Sequence, residues 1–171
     1  EPFDVQGVLQ AFLQPGRPIE RHHPLLHAMQ SVWDMVDPVT KANRLVAEPF
    51  DGMPAKDVLM PAGVIDGYFS PRAEAALAVN LKAPLVGDEV EPFLPASLRL
   101  SGQQAINYPV QANIGGKTAA VIQYASANTK GHYVLFNLEQ ARFQYTCFLA
   151  SVGSANGTRI SAPNDLDAAC P

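Results

Sequence analysis

Apolar positions in this chain recur with two different periods. Two short apolar stretches, one within Lys56 to Asp66 that runs into a glycine-containing turn and one at Ala119 to Tyr124 that leads into small polar residues, have the pattern of strands followed by turns. Between them Ser70-Pro71 opens a helix through Leu81, with Leu77 and Leu81 one turn apart. That is the crossover which parallel neighbouring strands require. After the second run, Leu138, Ala141, Tyr145, Phe148, Leu149 and Val152 repeat at helical spacing up to Gly153, and Asn137 with Gln140 forms a capping-box pattern.

Nearer the start, Asp4 caps a helix bearing Val5, Val8, Leu9 and Phe12 that Pro15-Gly16 ends. His23-Pro24 opens a second, whose Leu25, Leu26, Met29, Val32, Trp33 and Val36 make a wide apolar face for a core or a partner. Asp37-Pro38 starts a third through Val39, Ala42, Leu45 and Val46. Residues 87–116, rich in Pro, Gly, Gln and Asn, alternate weakly at Leu98-Arg99-Leu100 and Ile106-Asn107-Tyr108, and read as an excursion with room for one hairpin. Asp88, Glu89 and Glu91 within it read as a solvated acidic loop. The expected organisation is α/β, one domain or part of one: helices over 1–50, strand-helix-strand-helix over 56–152, and a loop-like tail over 153–171.

Chemistry collects at the ends of the two strands. The first runs through Gly63-Val64-Ile65 to Asp66, and the second is followed by a polar loop, 125–130, and then by Gly131-His132. The carboxyl edge of a parallel sheet is where sites are built. An aspartate and a histidine delivered there can form a couple in which the carboxylate fixes the imidazole tautomer while the ring takes a proton from a nucleophile. Taken singly, Asp66 is also an ordinary turn aspartate and His132 an ordinary loop histidine.

Gly63-Val64-Ile65-Asp66-Gly67-Tyr68-Phe69-Ser70-Pro71, then a helix, a strand, Gly131-His132-Tyr133-Val134-x-Phe136 and a closing helix, resembles the C-terminal portion of an α/β-hydrolase. The likeness is to bacterial lipase- and esterase-like serine hydrolases, whose triad runs Ser, Asp, His. His22-His23-Pro24-Leu25-Leu26 and Val36-Asp37-Pro38-Val39 resemble the segment such enzymes carry before the acid strand, so the likeness spans roughly residues 20 to 152. It implies Asp66 as triad acid, His132 as triad base, acyl hydrolysis of a small-molecule or lipid ester, no cofactor, and an exported bacterial protein. No Gly-x-Ser-x-Gly nucleophile elbow occurs, and none of Ser31, Ser70, Ser97, Ser101, Ser126, Ser151, Ser154 and Ser161 stands in that frame. The resemblance therefore places the nucleophile before Glu1, in an N-terminal part of the same protein, and makes this segment inactive alone. A rival of another class is a non-catalytic binding or structural module derived from the fold. The sheet separates them: a hydrolase portion leaves one strand edge for the rest of the protein, and a self-contained module covers it. A third reading has His132 served by a serine, threonine or cysteine from within these residues.

Composition narrows the field. A chain of 171 residues, 47% hydrophobic, can bury a core and is not a disordered type. No apolar run reaches the length of a membrane span. A net charge of −4 with scattered lysines and arginines gives no basic stripe for nucleic acid. His22, His23 and His27 lack the converging geometry and the further ligands that zinc needs, since Pro24 interrupts them. Cys147 and Cys170 either pair, pinning the tail to the closing helix, or stand as a buried small hydrophobe and a free thiol. The resemblance to exported enzymes favours the bond.

Overall fold

A computed structural model describes residues 7, 8, 10, 11, 20, 22–125 and 130–170. The first expected helix falls for the most part outside the described residues, as does the middle of the 125–130 loop.

Two parallel strands form the centre. β1 (Val58–Gly63) pairs with β3 (Ala119–Tyr124) in register from Val58 opposite Ala119 to Gly63 opposite Tyr124. Every residue of β3 is buried, as expected of a strand covered on both faces. On its far side, Val121 pairs in parallel with Leu85, through Val121 N to Pro84 O (2.9 Å) and Val86 N to Val121 O (3.0 Å). Ile106 continues this array beside Val86. Among the described residues nothing pairs with the outer edge of β1.

Alternation along β3 sends its residues to two layers. Ala120, Ile122 and Tyr124 pack with Val134, Ala141 and Phe148 of the C-terminal helices, which are α5 (Val134–Asn137) and α6 (Glu139–Ser151). Val121 faces the other way, against Ala75, Ala78, Leu94 and Leu98 of α3 (Pro71–Leu81) and α4 (Phe93–Leu100). The structure is thus a mixture of helices and strands around a small parallel sheet. α3 keeps its expected bounds, with the Ser70 hydroxyl accepting from the Ala73 amide at 3.3 Å, Pro71 at its first position and Lys82 leaving in the left-handed region.

Several expectations are corrected. Residues 93–100 are helical: the Glu91 carboxylate accepts the Phe93 and Leu94 amides at 3.0 and 2.7 Å, and Leu94 and Leu98 bury one turn apart. The alternation at 98–100 was too short to set a strand against that cap. The acidic loop is accordingly not merely solvated, because Glu91 starts this helix and Glu89 pairs with Arg99 at 2.5 Å. The tail contains β4 (Arg159–Ile160), antiparallel to β2 (Val110–Gln111). Asn137 ends α5 rather than capping the closing helix, which begins after Leu138 with no side-chain cap. His132 lies in a 3-10 turn, Gly131–Tyr133, rather than a plain loop.

Upstream, α1 (Pro24–Trp33) buries none of its residues, and Val32, Trp33 and Val36 stay exposed. Its apolar face is not a core face. α2 (Pro38–Lys41) is capped by Asp37 and continues as a 3-10 turn, with Ala42 and Val46 buried against Leu81 and Ala119.

Candidate functional site

Backbone contact sets the site. The Val64 amide extends the ladder to Tyr124 O (3.0 Å), and the Gly131 amide donates to Ile65 O (3.2 Å). Gly63 and Gly131 lie backbone to backbone, and a Cβ on either would overlap the other's main chain. Only glycine permits such an approach. Ile65 then takes φ +64, a left-handed conformation that costs a β-branched residue about 1–3 kcal/mol and turns the chain sharply into Asp66.

Asp66 Oδ1 accepts the Tyr68 and Phe69 amides at 2.7 and 3.0 Å, fixing the carboxylate within its own turn. Its Oδ2 is left for His132 Nδ1 at 3.1 Å. The two residues named from the sequence are therefore in hydrogen-bond contact, 66 positions apart. The Asp66 side chain is 7% exposed and that of His132 33%. Burial pushes the Asp66 carboxyl up, but the amides of Phe69 and Tyr68, then the hydrogen bond and charge of His132, outweigh it and hold it below the ordinary aspartate value. An ionised carboxylate only accepts, so Nδ1 carries the proton and Nε2 presents its lone pair. Such a histidine can take a proton at Nε2 and have the resulting charge stabilised by Asp66.

Three rings hold the imidazole: Tyr68 at 4.4 Å, Phe69 at 5.8 Å, near-parallel, and Tyr133 edge-on at 5.1 Å between centroids. Beside the couple lies a cavity of about 500 Å³, walled by Met60, Leu77, Val134 and Leu135, with Asp66 and His132 in its lining. Glu74 also lines it, and burial first, then the charges of Asp66 and Glu91, push its carboxyl up to about 7. Sequence reasoning missed Glu74. The available signal was its place in the first turn of the helix that follows the Asp66 turn.

Among the described residues no serine, threonine or cysteine hydrogen-bonds to His132. Cys147 and Cys170 form a disulfide, with Cα atoms 5.0 Å apart, so Cys147 is not available as a nucleophile. His23 caps α1, its Nδ1 accepting the Leu25 amide at 3.2 Å. No group of three or more His, Cys, Asp or Glu among the described residues is placed to hold a metal. No helix of the described residues is long and apolar enough to cross a membrane. No protein-family model, curated protein or solved structure matches the chain.

Proposed function

We propose that this chain is the acid-and-base portion of a serine ester hydrolase, similar to the C-terminal part of an α/β-hydrolase. The 3.1 Å contact between Asp66 and His132, on neighbouring parallel strand ends, carries the reading. In acyl transfer, Nε2 of His132 removes the proton of a serine supplied by another part of the protein as that oxygen attacks the ester carbonyl. The proton then passes to the departing alcohol as the acyl-oxygen bond breaks, leaving an acyl-serine. Water, deprotonated by the same nitrogen, releases the carboxylic acid and restores the serine. Asp66 stays ionised throughout, orienting the ring and stabilising its charged form. The oxyanion donors come largely from the serine-bearing part.

The outer edge of β1 supports this reading over a stand-alone module. A serine-bearing part that pairs there would lie along β1, whose Met60, Pro61 and Gly63 line the cavity beside the couple. The disulfide fits an exported protein.

The test is hydrolysis of p-nitrophenyl butyrate. The 171-residue chain should give no rate above background, and the longer protein carrying a Gly-x-Ser-x-Gly segment should turn over. In the latter, His132→Ala should lower kcat by several orders of magnitude and Asp66→Asn by roughly 10³–10⁴. Equal activity with and without the serine-bearing part, or an unaffected His132→Ala rate, refutes the assignment.

A further inference from the structure

The cavity beside the couple is mainly apolar, and its charged groups are of one kind. Asp37, Asp66 and Glu74 line it together with His132, and among the described residues no lysine or arginine does. Two of these carboxyls are already engaged. Asp37 accepts the Val39 amide at 2.8 Å, and Asp66 is held by its own turn and by the imidazole. Glu74 differs: its carboxyl has no hydrogen-bond or ion-pair partner among the described residues, although it is half-buried. The groups that act on it electrostatically, Asp66 and Glu91, are both acidic. Arg72, on the same helix, lies over the Phe93 ring at 5.9 Å instead.

We infer that Glu74 makes this cavity a binding site for an apolar group carrying an ammonium, so that the ester acted on bears a cationic substituent on the part seated there. The substrate part of this inference rests on the hydrolase reading; the site itself does not. A carboxyl in apolar surroundings is unfavourable as an anion until a cation meets it. Phe69 lines the same cavity, and an aromatic ring there attracts an ammonium. A carboxylate, phosphate or sulfate ester finds no lysine or arginine in this lining among the described residues and meets the Asp66 carboxylate instead. Without a cation Glu74 keeps its proton up to about 7, so an ammonium arriving below that pH displaces the proton to solvent.

The experiment uses the 171-residue chain and three probes of equal chain length, hexylammonium, 1-hexanol and hexanoate, titrated calorimetrically at about pH 8. Hexylammonium should bind about tenfold tighter than 1-hexanol, with hexanoate weakest. Glu74→Gln should remove most of the gap between hexylammonium and 1-hexanol and leave 1-hexanol unchanged. Near pH 6, wild-type binding of hexylammonium should release a proton, seen as a heat that depends on the buffer. No binding of hexylammonium, equal affinity for all three, or a cation preference undiminished by Glu74→Gln overturns the inference. Because no serine is needed, cation preference without ester hydrolysis in the longer protein would remove the hydrolase reading alone. Hydrolysis without cation preference would remove this inference alone.

Discussion

At the scale of single residues, Asp66 and Glu74 are neighbouring carboxyls driven in opposite directions. Asp66 receives two amides and an imidazole, whereas Glu74 receives nothing but like charge. Their effects on stability are therefore of opposite sign. Asp66 favours the folded state above the unfolded aspartate value, and that contribution is lost as pH falls through its lowered folded value. Glu74 holds its proton more tightly folded than unfolded, so its contribution is present at acid pH and is lost as pH rises to about 7. Glu74→Gln should thus raise the melting temperature at about pH 8 relative to wild type and change it little at about pH 5. Thermal unfolding at both pH values checks this, and an equal effect at the two would contradict it. That Asp66 and His132 meet was legible in the sequence, because each follows a strand and stands near a glycine. Glu74 was not: its place in the first turn of the helix after Asp66 does not by itself say which face a glutamate turns to a cavity.

At the scale of elements, what set each segment was its strongest local signal. Helix 71–81 and strands 58–63 and 119–124 were legible because cap, proline and apolar run agreed. Residues 93–100 were missed because their first amides are met by the Glu91 side chain, across a proline that hides the start of the helix. β2 and β4 are two residues each, and a pair that short has no pattern along the chain; it exists through a partner about fifty residues away. The meeting of the acid turn and the histidine turn is likewise an element-scale event, made by Gly63 against Gly131. Gly131→Ala should destabilise the fold by about 1–3 kcal/mol through overpacking. It should also part His132 from Asp66, so hydrolysis by the serine-bearing protein should fall more than folded content does. Circular dichroism melting and the esterase rate measured on the same samples test this.

For the molecule as a whole, two layers of helices clamp a small sheet, and the far end of the chain is held by a bond instead of a core. Cys147 and Cys170 stand 23 positions apart in sequence, and among the described residues beyond Ser161 none is buried. Closing a loop of that length is worth about 3 kcal/mol in the chain-entropy account. Replacing both cysteines by serine should lower the urea unfolding free energy by about that amount and open the tail to proteolysis, while leaving the Asp66 turn intact. The bridge is also completed within these residues, with no free thiol left over among those described. Oxidation can therefore finish inside this segment by itself, without a thiol from elsewhere in the protein.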